Sequence, residues 1–258
     1  MAVAYSGCGF LAPGHGGSTY ALMEAGAEIG FVAGTSGGSI LAAAVGSGFN
    51  ADKIKQISTE VSFAGLLDLN PFSMMLGKGY CSGSALERFL HGIFGDITFA
   101  EAFVPVKMVS TNLATGKPFI FSKETTPDCP LYLGCRCSAS IPFIYDAMHY
   151  DGATLVDGGE VMNLPAQLLP KEYDRLALVL TSNAPNDIST LVGRAAANLN
   201  NLMTGGMSAL VSLAKADHTQ VVTTIVNDIS FLDDGMTLAD HVRLFDKGMA
   251  SVKNVKVG

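Results

Sequence analysis

Five consecutive residues, Gly34-Thr35-Ser36-Gly37-Gly38, have the composition of a turn that presents a nucleophilic serine. An apolar run (29–33) precedes them and a run of small residues (40–45) follows, so the G-x-S-x-G motif lies between a predicted strand and a predicted helix. Glycines around Ser36 let the strand and the helix pass close to it, and the helix N-terminus favours developing negative charge. The same motif also fits a glycine-rich turn of some other α/β fold.

A serine hydroxyl needs a base that takes its proton and N–H donors that stabilise an oxyanion. Gly7-Cys8-Gly9 supplies candidate donors, because it follows the first predicted strand and would lie at the same sheet edge as Ser36. Gly37 is a further candidate donor. The alternative interpretation of this loop, a dinucleotide or phosphate site, lacks support because Ala12 replaces the third glycine of G-x-G-x-x-G and no G-K-[ST] follows.

The base is either a histidine or a carboxylate. His218 and His241 occupy the late position of the histidine in a Ser-Asp-His order, but neither directly follows a predicted strand, so both are interpreted as ordinary surface or hydrogen-bonded residues. Asp157 is better placed, because it follows a predicted strand and precedes Gly158-Gly159, an open turn across which a short carboxylate could reach. Asp151 also precedes a glycine, but at the tip of a predicted hairpin, where a structural role is expected.

The order of predicted elements begins strand, helix, strand, helix, which indicates an α/β fold with a parallel sheet. Further strands are predicted at 104–110, 118–122, 175–181 and 221–226, with a hairpin around 150–153; helices are predicted at 16–25, 40–45, 50–61, 84–94, 187–216 (with a break near 204–206) and 238–252. Asn50 and Thr237 are expected N-caps. No repeat, low-complexity tract or linker interrupts the chain, so we expect a single domain over residues 1–258.

An irregular apolar stretch, 62–80, follows the third predicted helix. It has two interpretations, a buried connector or a mobile apolar flap over an acyl-chain site. The second interpretation would also make this stretch the place of membrane contact.

The composition excludes some classes of partner. The chain has 258 residues, of which 48% are hydrophobic and 15% charged, and its net charge of -7 argues against nucleic acid. Five cysteines without spaced pairs indicate reduced thiols rather than a disulfide framework or a zinc site. No apolar run is long enough to span a bilayer, and the N-terminus resembles no leader, so we expect a cytoplasmic protein that contacts membranes peripherally.

Several blocks of the sequence resemble the patatin-like phospholipases of bacteria, almost end to end. The segment 7–17 resembles the family's glycine-rich oxyanion loop and the helix after it, 34–38 resembles its nucleophile elbow, and 155–159 resembles its D-G-[GA] block. The segments 110–116 and 238–249 resemble a typical strand with its turn and the family's last helix.

The resemblance implies a three-layer α/β/α fold of Rossmann type with a mainly parallel sheet. It also implies hydrolysis of phospholipids, lysolipids or other fatty-acyl esters by a Ser36–Asp157 dyad, without a catalytic histidine, metal or cofactor. The chain departs from the family at Leu11, where an arginine or lysine is usual, and this favours neutral esters or lysolipids. Two alternatives stay open: an acyltransferase or thioesterase that uses the same site, and a non-catalytic lipid-binding protein.

Overall fold

The computed structural model describes residues 1–63, 65–68, 79–185, 188–189, 191–233 and 235–256. The strands are β1 (Ala2–Tyr5), β2 (Phe31–Thr35), β3 (Val106–Asn112), β4 (Lys117–Phe121), β5 (Met148–Tyr150), β6 (Ala153–Asp157), β7 (Arg175–Ser182) and β8 (Gln220–Val226). The helices are α1 (Ala12–Glu24), α2 (Gly37–Gly46), α3 (Ala51–Thr59), α4 (Ser84–Phe94), α5 (Leu131–Ser138), α6 (Gly159–Met162), α7 (Leu191–Gly205), α8 (Met207–Ala216) and α9 (Leu238–Ser251). Short 3₁₀ turns lie at Gly9–Leu11 and Ala166–Leu168.

The eight strands form one mixed sheet in the order β5-β6-β3-β2-β1-β7-β8, with β4 paired to β3. The five strands β3, β2, β1, β7 and β8 run parallel to one another. Strands β4 and β6 each pair with β3 in antiparallel orientation, and β5 pairs with β6 in antiparallel orientation. The ladder pairs Thr35 with Val109 and Ser110 with Asp157. This register brings the ends of β2 and β6 to the same level on either side of β3.

Both faces of the sheet are covered, which gives the expected three-layer α/β/α architecture. Along β1, Val3 and Tyr5 point into one hydrophobic core, whereas Ala2 and Ala4 point into a second. The first core also takes side chains from α2, α3, α4 and α5, and the second takes Ala214 of α8. Because a central parallel strand is buried on both faces, β1 carries no polar residue.

Helix α1 begins at Ala12, four residues earlier than the predicted start at residue 16. The glycines in the first turns of α1 are typical of a loop, but here they allow α1 to cross close to α9. A Cβ on Gly17 would lie 1.8 Å from the Phe245 carbonyl oxygen, and a Cβ on Gly248 would lie 1.8 Å from that of Gly14. Only glycine permits this approach, so tertiary packing outweighs helix propensity here.

The N-caps predicted at Asn50 and Thr237 and the predicted hairpin tip are confirmed. The Asn50 side chain accepts a hydrogen bond from the Lys53 N–H at 2.9 Å, and Thr237 forms a capping box with Asp240. Asp151 and Gly152 both have positive φ, as a type I′ hairpin tip requires. The predicted helix start at residue 187 lies outside the described residues.

The spacing of apolar residues in the last helix predicts a core-facing side made of Leu238, Val242, Leu244, Phe245 and Met249, and this prediction is partly wrong. Leu238 and Val242 are exposed, and the buried face contains His241, Leu244 and Phe245. The two exposed residues lie in the first part of the helix, which covers less of the core than the periodicity indicated.

Candidate active site

Ser36 occupies a sharp turn between β2 and α2, as the motif predicts. Its φ is +52°, a left-handed conformation that is rare for a residue with a side chain, and the side chain is buried. The turn requires glycine two residues later, since a Cβ on Gly38 would lie 2.5 Å from the Ser6 carbonyl oxygen. The Ser36 N–H donates to the Ser138 hydroxyl at 2.8 Å, which helps to hold the strained backbone.

Asp157 lies at the end of β6 with its carboxylate directed at Ser36. The Ser36 hydroxyl donates to Asp157 Oδ2 at 2.6 Å, and the Gly159 N–H donates to Oδ1 at 2.7 Å. The backbone is held as well, because the Asp157 N–H donates to the Ser140 carbonyl at 2.9 Å. Both carboxylate oxygens therefore have one partner each, and only Oδ2 faces the serine.

Burial raises the pKa of Asp157 from its usual value of 3.8 to about 7, against the opposing effect of the hydrogen bonds from Ser36 and Gly159. The carboxyl group is completely buried, and desolvation disfavours its charged form. A carboxylate with a pKa near neutrality is a much better proton acceptor than one with a pKa near 4.

The predicted oxyanion loop lies beside Ser36: Gly9 and Gly37 line the same pocket, and a Cβ on Gly7 would lie 3.3 Å from the Ser36 Cβ. Gly37 is the first residue of α2, and a Cβ placed on it would lie 3.1 Å from the Gly9 nitrogen and 2.9 Å from Cys8 Sγ. In the described part of the chain we find no acceptor for the N–H groups of Cys8, Gly9 and Gly37. Gly9 itself has a φ of +54°, and its turn packs against the Phe231 carbonyl.

The prediction for Gly7 needs correction. Its N–H donates to the Asn163 carbonyl oxygen at 2.9 Å and is not available to a ligand in this structure. The sequence placed Gly7 in the loop but could not show this long-range bond, which ties the loop to the segment after α6. Gly34 lies in β2, two residues before Ser36, and Gly158 and Gly159 follow Asp157 at the start of α6.

An apolar pocket adjoins Ser36. Its volume is about 40 Å³, and among the described residues that line it only Ser36 and Tyr145 carry a hydroxyl group. The lining comprises Gly9, Phe10, Ala12, Ser36, Gly37, Ile40, Phe63, Leu66, Leu86, Phe89, Ala139, Ile141, Tyr145 and Leu232. The pocket is chemically suited to the hydrocarbon end of an ester, and its narrowness means that a long chain must displace lining side chains.

The irregular stretch contributes two residues to this wall. Phe63 and Leu66 are buried and line the pocket, so this part covers the site and is a buried connector at the same time. Residues 69–78, which carry the rest of the predicted flap and its membrane contact, lie outside the described residues. Leu11 is also buried, but it borders a separate small cavity beside Gly7 and Asn163 rather than the pocket at Ser36.

The structure adds three supporting residues that the sequence did not single out. The Ser138 hydroxyl accepts from Ser36 and donates to the Val109 carbonyl at 2.5 Å. The buried Arg136 guanidinium donates to the Ser140 hydroxyl at 2.6 Å, and the Ser140 carbonyl accepts from Asp157. Arg136 and Ser138 lie in the last turn of α5, and Ser140 follows two residues after its end.

The histidines take no part in the dyad. The Asp157 carboxylate has Ser36 and Gly159 as its partners among the described residues. His218 is exposed, whereas His241 is buried with its ring centroid 4.6 Å from that of Phe63. Of the two roles that the sequence allowed for His241, a surface residue or a hydrogen-bonded one, burial excludes the first, and its ring packs against Phe63.

The described residues contain no cluster of three or more histidine, cysteine or acidic side chains that could hold a metal ion. Within the same residues, no helix is both long enough and apolar enough to cross a membrane.

Fold and site together define an α/β protein with a serine–aspartate pair at the carboxyl edge of its sheet. The family model of the patatin-like phospholipases matches residues 3–170, and the chain belongs to this family. The protein R571 of Acanthamoeba polyphaga mimivirus is 28% identical over 242 residues, covering 86% of this chain and 81% of that protein.

Two longer proteins share the same region. The human patatin-like phospholipase domain-containing protein 6 is 28% identical over 203 residues, which cover 74% of this chain but 14% of the human protein. The crystal structure of VipD from Legionella pneumophila superposes with a TM-score of 0.59 at 14% identity, covering 97% of this chain and 65% of VipD. The latter likeness concerns the fold alone.

Proposed function

We propose that this chain is a serine hydrolase of lipid acyl esters that uses Ser36 as nucleophile and Asp157 as its base. Family membership supports lipid hydrolysis in general. The observation that carries the finer proposal is the 2.6 Å hydrogen bond from Ser36 to a buried Asp157 whose pKa is raised to about 7.

The reaction follows from these contacts. Asp157 accepts the hydroxyl proton while Ser36 Oγ attacks the ester carbonyl carbon. The N–H groups of Cys8, Gly9 and Gly37 donate to the resulting oxyanion. As the intermediate collapses, the ester C–O bond breaks and the departing alcohol takes the proton from Asp157, leaving the acyl group on Ser36.

Deacylation reverses these roles. A water molecule gives a proton to Asp157, and its oxygen attacks the acyl carbon. The bond from that carbon to Ser36 Oγ breaks, the fatty acid leaves, and Oγ regains the proton from Asp157. A single carboxylate serves both half-reactions, so no histidine is required.

The proposed substrates are phospholipids, lysolipids or related fatty-acyl esters. The apolar lining of the pocket supports an acyl chain beside Ser36. Leu11 is a buried apolar residue and brings no positive charge to the oxyanion loop. Recognition of an anionic head group would therefore need a positive charge from another residue. Such substrates reside in membranes or micelles, so we propose transient contact with a lipid surface.

The test is ester turnover by purified variants. With a dissolved p-nitrophenyl ester, Ser36→Ala and Asp157→Asn should each lower kcat/KM by about a thousandfold or more. The control is His218→Ala, which should retain the wild-type rate. Wild-type turnover by folded Ser36→Ala would refute the proposal, and a His218→Ala variant as inactive as Asp157→Asn would replace the dyad with a triad.

A further inference from the structure

Phe143 combines a strained backbone with an exposed aromatic ring. Its φ is +65°, a conformation that is a genuine outlier for a bulky residue, and its side chain is 69% exposed. The carbonyl of Phe143 is fixed by a hydrogen bond from the Tyr80 N–H at 3.0 Å. The fold maintains a costly backbone conformation that directs an apolar ring to solvent. A contact between this ring and a partner outside the chain would explain why.

A second exposed apolar side chain borders the same feature. Leu113, at the turn between β3 and β4, is 55% exposed, and its N–H donates to the Thr154 carbonyl at 2.9 Å. Leu113 and Phe143 stand at the rim of a recess of about 470 Å³ that also includes Pro142 and Val156. We call Leu113, Phe143 and this recess the 113/143 surface.

The 113/143 surface adjoins the pocket at Ser36. Tyr145 lines both the recess and the pocket. Ile141 lines the pocket, and Pro142 and Phe143, the next two residues, line the recess. Tyr145 and the segment 141–143 therefore connect this surface with the pocket at Ser36, on the side from which an ester drawn out of a lipid layer would approach the nucleophile.

We propose that the 113/143 surface is the face with which the protein docks on a bilayer of zwitterionic lipids. The proposal rests on the function proposed above and specifies where the lipid surface lies. Exposed aromatic and aliphatic side chains partition into the boundary between head groups and acyl chains.

The charge of the protein favours a zwitterionic over an anionic bilayer. The chain has a net charge of -7, and the described residues that line the recess include Asp146 and His149 but no lysine or arginine. An anionic membrane surface attracts basic segments and repels acidic proteins, so binding must depend on apolar insertion. Two rim side chains are too few for a stable dimer interface but sufficient for transient membrane contact.

The test measures binding separately from catalysis. In a Ser36→Ala background, which leaves the lipid intact, binding to phosphatidylcholine vesicles is measured by co-sedimentation. Phe143→Asn should weaken partitioning about tenfold, and adding Leu113→Asn should weaken it further. Asparagine tolerates positive φ, so the first variant should stay folded.

Phe103→Asn is the matched control. Phe103 is 80% exposed but precedes β3, at the opposite edge of the sheet from Ser36, so its replacement should leave vesicle binding unchanged. Equal binding by the parent and the Phe143→Asn Leu113→Asn variant would overturn the proposal. Tighter binding to phosphatidylserine than to phosphatidylcholine vesicles would overturn it too, as would a dimer that these substitutions dissociate without affecting vesicle binding.

A second measurement distinguishes the docking surface from the proposed chemistry. With Ser36 present, Phe143→Asn should hydrolyse a dissolved short-chain ester within twofold of the wild-type rate but hydrolyse vesicle lipid about tenfold more slowly. If wild-type protein cleaves neither substrate while vesicle binding still depends on Phe143, the docking surface stands and the proposed hydrolysis fails. If wild-type protein cleaves both and Phe143→Asn changes neither, the docking surface is wrong.

Discussion

At the scale of single residues, the proposed chemistry depends on the protonation of Asp157. Burial raises its pKa to about 7, and only the deprotonated carboxylate can accept the Ser36 proton. We therefore predict that kcat/KM for a dissolved ester falls about tenfold per pH unit below pH 7 and levels off above it. A rate that stays constant down to pH 5 would show that the buried carboxylate is not the base.

The same pKa makes a prediction about stability. Folded Asp157 holds its proton up to about pH 7, whereas the unfolded chain releases it near pH 3.8, so the folded state binds more protons between these values. Stability contributed by this group is therefore present below pH 3.8 and is lost as the pH rises to 7, by roughly 1.4 kcal/mol per pH unit at most.

Asp157→Asn removes this penalty because an amide does not ionise. Its Tm should exceed that of the wild type at pH 8 and match it near pH 4, although the proposed mechanism predicts that the variant is inactive. A Tm of Asp157→Asn below the wild-type value at pH 8 would contradict the expected cost of the buried charge.

At the scale of elements, the end of α5 supports both members of the dyad. Ser138 joins the Ser36 N–H to the Val109 carbonyl, so it links α5 to the elbow and to β3. Arg136 fixes the following turn through the Ser140 hydroxyl and through the Gly83 carbonyl, which accepts from its Nε at 3.2 Å. The dyad thus depends on one helix terminus that touches neither reacting atom.

Ser138→Ala should leave a buried N–H and a buried carbonyl without their partner. We expect a loss of about 1–3 kcal/mol in the free energy of unfolding, measured by urea denaturation, together with a lower kcat because the elbow is less firmly held. The exposed Ser212→Ala should change neither quantity. If Ser138→Ala matched the wild type in stability and kcat, the hydroxyl would not support the elbow.

Local sequence patterns predicted many of the caps, turns and helices, and long-range contacts explain the features that these patterns missed. The Thr237 capping box and the hairpin tip at Asp151 were predictable, because both depend on residues within a few positions. The role of Ser138 was not, because a serine at a helix end has no sequence feature that identifies a partner 102 residues away. The start of α1 was missed since its glycines pack against α9.

The candidate site also has features that local sequence patterns predict and features that depend on long-range contacts. Ser36 and Asp157 were predictable from their motifs and neighbouring glycines. Their 2.6 Å contact was not, because it depends on the register of the sheet. The N–H of Gly7 could not be excluded from the sequence, because its acceptor, Asn163, follows α6 and approaches only in the folded chain.

At the scale of the whole molecule, separate parts of the chain enclose the pocket. Phe63 follows α3, Phe89 lies on α4 and Leu232 follows β8. With a volume of about 40 Å³, the pocket admits only a short hydrocarbon group unless these side chains move. Under the proposed function, the packing of distant segments therefore determines the acyl-chain preference.

Phe89→Ala should enlarge the pocket, and its half-buried position limits the loss of stability. The ratio of kcat/KM for an octanoyl to that for an acetyl p-nitrophenyl ester should rise about tenfold relative to the wild type. Phe103→Ala, distant from the pocket, should leave the ratio unchanged. An unchanged ratio for Phe89→Ala would mean that the acyl chain binds elsewhere.

Covalent labelling by a fluorophosphonate tests the central claim most directly, because it reports the nucleophile itself. After reaction with the folded wild-type protein, peptide mass spectrometry should place one adduct on Ser36. The Asp157→Asn variant should label far more slowly, and Ser36→Ala should not label. An adduct on another serine, or an unlabelled Ser36 in the folded wild-type protein, would contradict the account.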